Sequence, residues 1–455
     1  MPTVRRLSAI QVALVISLAS LSAGPGIAQT AFRTIYSFQG GTDGEEPNGV
    51  ILGNNGALYG TTLRGGSSTC SNANTWTQPC GTIFELTPNG TAWQNHVLYE
   101  FEGVRGGAFP DGPLVLDRDG TLYGTAYTLG RIEYGDGAVF SLAPPAAPGG
   151  TWKQKVLYVF GMHEVPGGYS PFDPVGGVLL GPNGTLFGLT HYDYYPSPTG
   201  GAIFQLEPPT ARGQGWTEHT LFSFHSTSSP GIDPAGSLIT DGSVFYGADS
   251  QGGTAGCGAA FEATPVAGAP YTVAAVHEFA GPPDGCQPMA ALALGPGGVL
   301  YGTTANGGIA SAPCPSNGCG VVFQLNPPAS PGAAWTEEVI YSFTGVNGDG
   351  AFPSSALVLT AVGALYGTTQ GGGAVAGSNP ACSTSGVSGC GTVFKLAPSE
   401  SGGTWTETVL HNFTGENDDG SSPGSYLTPN GSGGLYGTTA QGGAAGYGTA
   451  FEIRP

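Results

Sequence analysis

Short apolar segments separated by polar, glycine-rich loops recur along the whole chain. In Thr392-Val393-Phe394-Lys395-Leu396 apolar and polar residues alternate, which is the period of a strand with one buried face. No segment shows helical spacing. The clearest unit is Leu300-Tyr301-Gly302-Thr303-Thr304. It recurs at Leu58–Thr62, Leu365–Thr369 and Leu435–Thr439, with worn copies at Leu122-Tyr123-Gly124-Thr125, Leu186-Phe187-Gly188 and Phe245-Tyr246-Gly247.

Each copy has three companions. An aromatic-x-Phe segment ends at Phe38, Phe101, Phe160, Phe224, Phe279, Phe343 and Phe413. A Gly-x-x-Phe segment ends at Phe84, Phe140, Phe204, Phe261, Phe323, Phe394 and Phe451. A short strand precedes each Leu-Tyr-Gly copy, after a loop that often reads Asp-Gly-x-x-Pro. Four strands per unit and seven units predict an all-β chain, a seven-bladed β-propeller of four-stranded repeats. The chain opens on a lone strand, Phe32–Phe38, and its last unit lacks a fourth strand. The N-terminal strand is therefore expected to pair with the last blade and close the ring, removing an exposed edge. A linear β-solenoid is the competing reading, but its units are usually shorter.

Strand parity puts the loops after aromatic-x-Phe and after Leu-Tyr-Gly-Thr-Thr on one face. All eight cysteines fall in those loops. Cys80, Cys319 and Cys390 each precede a Gly-x-x-Phe segment, with Cys70, Cys314 and Cys382 upstream in the same loops. This predicts Cys70–Cys80, Cys314–Cys319 and Cys382–Cys390, and leaves Cys257–Cys286 as the fourth bridge. Cysteines so placed favour disulfides over zinc, and no metal site is expected from their spacing.

Composition adds a compartment. Residues 1–28 read as a secretory signal peptide: Arg5 and Arg6, an apolar core from Ile10 to Leu21, and small residues up to Ala28. Residues 29–455 are then expected to form one seven-repeat propeller domain, secreted to the extracellular space or periplasm, with no membrane span after cleavage. The formal net charge is −19, and losing the signal removes two arginines and no acid. Such a chain is a poor partner for nucleic acid, whose phosphates need Lys and Arg. A monomer is expected.

The tandem Leu-Tyr-Gly-Thr-Thr, Gly-Thr-x-Phe and Tyr-Ser-Phe units with Asp-Gly-x-x-Pro between them resemble the GloVer tandem repeat of the choice-of-anchor tandem repeat GloVer-containing proteins. The resemblance covers about residues 32–453. It implies a secreted or surface repeat protein of undefined molecular activity. Members are named for alternative C-terminal anchors. This chain ends Phe451-Glu452-Ile453-Arg454-Pro455 without a sorting tail, so soluble export is the expectation.

Candidate chemistry is sparse. There is no Gly-x-Ser-x-Gly elbow, no His-Glu-x-x-His and no phosphate loop. The Asp-Gly-x-x-Pro loops at Asp43, Asp284, Asp349 and Asp419 are explained as turns; Ca2+ is the functional alternative, and Asn417-Asp418-Asp419 its best cluster. The repeated threonines are expected to satisfy backbone groups or fill a pleated surface. His277 and His411 stand where other copies have Tyr and read as structural. A single functional site should appear where copies deviate, and the second to fourth deviate most. There lie Tyr127, Arg131, Tyr134, His163, His191, Asp193, Tyr194, Tyr195 and His225, the candidate ligand-binding residues. Rings with His, Asp and Arg suit a sugar or a peptide. The leading expectation is a non-catalytic extracellular binding module for glycans or surface proteins. The alternatives are a polysaccharide hydrolase or lyase, which requires convergent acids of perturbed pKa in the central funnel, and a structural extracellular protein.

Overall fold

The alternating segments form antiparallel strands, and the strands form seven small sheets arranged as a seven-bladed β-propeller. The computed structural model describes residues 30–455 apart from 72–76, 104–105, 129–136, 148, 162–163, 166–167, 170–171, 195–197, 226–229, 312, 331, 375–381, 400–402 and 417. Residues 1–28, with the expected signal, lie outside the described residues. Blade 1 runs Glu45–Leu52, Leu58–Arg64, Thr82–Asn89 and Ala92–Glu100 from the axis outward. Blade 4 repeats the order with Ile232–Thr240, Phe245–Gln251, Ala259–Val266 and Ala269–Glu278. Among the described residues no helix is long and apolar enough to cross a membrane.

The glycine of each Leu-Tyr-Gly copy is there to receive a ring. Gly302 pairs across the ladder with Phe323, and a Cβ on Gly302 would lie 2.4 Å from Phe323 Cζ. The other six copies show the same approach, from Gly60 under Phe84 to Gly437 under Phe451. The covered Phe then meets the Phe that ends the preceding blade's outer strand. Phe279 and Phe323 have centroids 4.9 Å apart, Phe343 and Phe394 5.1 Å, and Phe38 and Phe84 5.0 Å. All of these rings are fully buried. Two of the three repeat motifs thus exist to build one aromatic contact at every blade interface.

The two threonines divide their work. The second bonds within its blade, as in Thr62–Thr82 at 2.8 Å, Thr369–Thr392 at 2.9 Å and Thr439–Thr449 at 2.9 Å. The first donates to the next blade near the axis: Thr303 to the Ser355 carbonyl at 3.2 Å, Thr438 to that of Pro47 at 3.1 Å. The expectation that they satisfy backbone groups holds for Thr303 and Thr438, whereas Thr61 Oγ1 in blade 1 is buried without a hydrogen-bond partner.

The residue before each repeat proline is left-handed although none is glycine: Glu46, Phe109, Asp173, Asp233, Gln287, Phe352 and Ser422 have φ of 54–60°. Side chains seldom take this conformation. Here it aims an N–H back at the preceding blade. Phe109 donates to the Cys80 carbonyl, Gln287 to Cys257 and Phe352 to Cys319, each at 2.8 Å, and Ser422 to Cys390 at 2.9 Å. The four expected disulfides form, so each of these acceptor carbonyls belongs to a bridged cysteine. Cys257–Cys286 joins blades 4 and 5, because Cys286 precedes the left-handed Gln287 of blade 5.

Closure is as expected. Ala31–Ser37 pairs with Thr449–Arg454, from Ala31 opposite Arg454 to Ser37 opposite Thr449. Glu452 is 2% exposed and receives Arg33 at 2.7 Å and Arg454 at 2.9 Å. Phe32 stacks on His411 of blade 6 at 3.5 Å.

Candidate functional site

Blades 2 to 4 break the repeat near the axis, at the end where the long loops gather. His191 follows the threonine of its Leu-Phe-Gly copy on Leu186–Tyr194. Asp111 follows the repeat proline Pro110 at the inner edge of blade 2. Asp233 is the left-handed residue of blade 4, and Asp249 replaces the second threonine in the blade 4 copy. At the position of Asp111 the other blades carry Asn48, Val175, Ala235, Met289, Ser354 and Gly424. None of these is ionisable.

Backbone packing brings these groups together. A Cβ on Gly112 would meet the Gly176 carbonyl carbon at 2.3 Å, one on Gly176 the Gly236 oxygen at 2.0 Å, and one on Gly236 the Ala291 nitrogen at 2.3 Å. The inner strands of blades 2 to 5 therefore touch main chain to main chain, as only residues without side chains allow. Thr125 Oγ1 lies 2.6 Å from both the Asp111 and the Gly176 carbonyl, so its one proton can serve either.

The electrostatics follow from crowding. Asp111 reaches solvent, yet the protein around it removes enough hydration to raise its carboxyl, against the pull of His191 and the Gly112 N–H. Burial lowers His191, while Asp233 and Asp111 push it back up. His191 is thus an imidazole favoured in its neutral form and within electrostatic reach of two carboxyls. Gln251 Nε2 donates to Asp233 Oδ2 at 2.5 Å. Behind them Asp249 is fully buried, and neither carboxyl oxygen has a hydrogen-bond partner. Burial, then the Asp233 charge, lifts its pKa well above the usual range.

A buried acid without a partner is costly, and Thr is what five sister blades use there. Asp249→Thr should therefore stabilise the protein by about 1–3 kcal/mol near neutral pH. The folded pKa is the raised one, so the native state holds a proton that the unfolded chain loses above pH ~4. The penalty grows as pH rises, and so should the melting-temperature gap between variant and parent. Thermal melts from pH 4 to pH 8 check this; a gap that stays flat or reverses contradicts it.

Of the sequence candidates, Tyr127 occupies in blade 2 the repeat position that His191 has in blade 3, and is 39% exposed. Asp193 and Tyr194 lie on the strand extension that pairs with Thr199 and Pro198. His225 follows Phe224 at the end of the blade 3 outer strand. Arg131, Tyr134, His163 and Tyr195 lie outside the described residues, as does Asn417. Asp111, Asp233 and Asp249 were not among the candidates; the signal for Asp249 was an acid at a position that is Thr in five of the other six blades.

The Asp-Gly loops tie their own turns to neighbouring outer strands. Asp43 accepts from the Tyr36 hydroxyl at 2.6 Å and from Asn95 of blade 1 at 2.9 Å. Asp419 accepts the Thr414 N–H at 2.9 Å and lies 3.1 Å from His411 Nε2. His411 and His277 thus stand in for the Tyr hydroxyl. A cleft of about 990 Å³ between blades 1 and 2 is lined by Tyr59, Glu85, His96 and Trp152. Its Tyr59–Trp152 contact recurs as Tyr246–Trp335 and Tyr301–Trp405. That cleft is an ordinary blade boundary.

The chain is similar to several solved structures at low identity. A protein of unknown function from Dyadobacter fermentans is 11% identical with a TM-score of 0.38, covering 93% of this chain and 99% of its own. A putative oxidoreductase (glucose dehydrogenase) from Thermus thermophilus is 14% identical with a TM-score of 0.43, covering 93% and 99%. A gluconolactonase from Xanthomonas campestris is 12% identical with a TM-score of 0.36, covering 74% and 85%. No curated protein sequence matches the chain. The repeat motifs have their own family profile, which matches residues 25–172 and 154–379, and the chain belongs to that family, the Gloeobacter/Verrucomicrobia repeat.

Proposed function

We propose that this chain is an exported binding module that holds a glycan at the axial mouth of blades 2 to 4. The observation that carries the reading is His191 within electrostatic reach of both Asp111 and Asp233, with histidine at its repeat position in blade 3 alone. Carboxylates accept paired sugar hydroxyls, a neutral imidazole both donates and accepts, and the exposed Tyr127 ring offers a stacking face. Four disulfides fit an oxidising compartment, in keeping with export through residues 1–28. Nothing in the reading calls for a bound Ca2+ or another cofactor.

Native affinity electrophoresis through gels containing a panel of polysaccharides tests it. One polymer should retard the protein, and His191→Ala or Asp111→Asn should weaken the retardation at least tenfold. Uniform mobility across the panel removes glycan recognition and leaves a protein ligand or a structural role. A second reading, a polysaccharide hydrolase or lyase, is favoured by the raised carboxyl of Asp111 beside His191. New reducing ends or unsaturated products from the retarding polymer would establish it.

A further inference from the structure

We propose that His277, Asp284 and Glu337 form a binding site for a divalent transition metal ion of the zinc class at the interface of blades 4 and 5. His277 lies on the outer strand of blade 4, Asp284 in the loop that follows, and Glu337 on Thr336–Ser342, the outer strand of blade 5. One ligand atom from each lies within 4.8 Å of the other two. His277 Nε2 and Asp284 Oδ2 are 3.1 Å apart. Two donors at about 2.0–2.1 Å from one tetrahedral ion sit roughly 3.3 Å apart, so this pair is already spaced for a shared ion. A small rotation of the Glu337 carboxyl brings in the third.

Comparison with the sister interfaces isolates the site. At four interfaces the residue two before the terminal Phe, the loop residue and a residue of the next blade's outer strand come together in one triangle. Between blades 7 and 1 the triangle is Tyr36, Asp43 and Asn95, with both partners donating to the aspartate. Between blades 6 and 7 it is His411, Asp419 and Phe32, whose ring stacks on His411 at 3.5 Å. Between blades 5 and 6 it is Tyr341, Asp349 and Glu407, without an imidazole. Between blades 4 and 5 alone among these, all three residues are metal-ligating types. Glu337 turns an acceptor toward Asp284 where Asn95 turns a donor toward Asp43. Its Oε1 is shielded from solvent and has no hydrogen-bond partner. Two facing carboxyls need either a proton or a cation between them.

The surroundings fit a cation. Asp284 is fixed by the Ala280 N–H on Oδ2 at 2.8 Å and by the Gly285 N–H on Oδ1 at 2.5 Å, the outer support that metal carboxylates commonly have. An imidazole with two carboxylates suits Zn2+ and its neighbours rather than Ca2+, which prefers six or more oxygens.

Equilibrium dialysis of the disulfide-intact protein against zinc chloride, with calcium chloride in parallel, is the test. The parent should retain one Zn2+ per chain and gain several degrees of melting temperature from it. His277→Tyr and Glu337→Asn copy the residues of the blade 7–1 interface, so both should fold. Each should weaken zinc binding at least tenfold and abolish the thermal gain. A parent that binds no stoichiometric zinc, zinc binding that survives both substitutions, or calcium binding in place of zinc would each overturn the proposal.

Discussion

A chain that begins at Gln39 should fail to form a stable ring. Ala31–Ser37 is the fourth strand of blade 7, although it is the first strand of the sequence. Its loss removes a full ladder with Thr449–Arg454. It strips Phe32 from the stack on His411 and from the edge of Phe413, at 5.6 Å. It removes the buried Ile35, and it leaves Glu452, 2% exposed, with Arg454 as its one remaining arginine. Two large apolar side chains contribute about 1.5–3 kcal/mol each, and a buried carboxylate losing one of its charge partners costs a few more. The ladder adds to that. The sum reaches the 5–15 kcal/mol by which whole domains are usually stable. The shortened chain should aggregate or melt without cooperativity, and a synthetic peptide of residues 30–38 should restore a cooperative melt. A monodisperse truncated protein with the parent's melting temperature would show that blade 7 does not need its closing strand.

Closure was legible because the repeat is periodic and its ends are not. A lone strand at one end and a missing strand at the other leave one arrangement. The disulfides were legible for a similar reason: a bridge within one loop needs only loop position, and the last two cysteines had no other partner. The left-handed positions were not legible. Glycine or asparagine is the usual sign of positive φ, and here the residues are Glu, Phe, Asp, Gln and Ser. What selects the conformation is the carbonyl of the preceding blade, a contact between residues far apart in sequence. The role of glycine in Leu-Tyr-Gly was hidden likewise. Its φ is not positive, so the reason for it is not a turn but a ring from the neighbouring strand.

The candidate site was half legible. His191 came from asking where copies deviate. Asp111 and Asp233 did not, because Asp beside Pro and Gly reads as a turn. Only the packing of Gly112, Gly176 and Gly236 brings those turns to one place. The same ambiguity runs the other way at Glu337. In sequence it is one acid of a Trp-Thr-Glu-Glu stretch on a strand; its meaning depends on which loop the neighbouring blade lays against it.

The second large effect concerns the aromatic contact that recurs at every interface. Phe323→Ala should destabilise the protein by about 3–5 kcal/mol, as full truncation of a buried ring usually does, measured by urea denaturation with all disulfides intact. The ring is fully buried, meets Phe279 at 4.9 Å, and covers Gly302. A cavity there cannot collapse easily, because the opposing wall is backbone. Gly302→Ala tests the same geometry from below. Its backbone conformation suits any residue, so the cost, about 1–3 kcal/mol, comes from the new Cβ against Phe323 Cζ at 2.4 Å and Leu292 Cδ2 at 2.9 Å. With the ring removed, Leu292 can shift into the vacated space. In the Phe323→Ala background, Gly302→Ala should then cost close to nothing, since alanine also restricts the unfolded chain. The double-mutant cycle should show a coupling of about 1–3 kcal/mol. Strict additivity would mean that glycine is required at this position for some reason other than the ring above it.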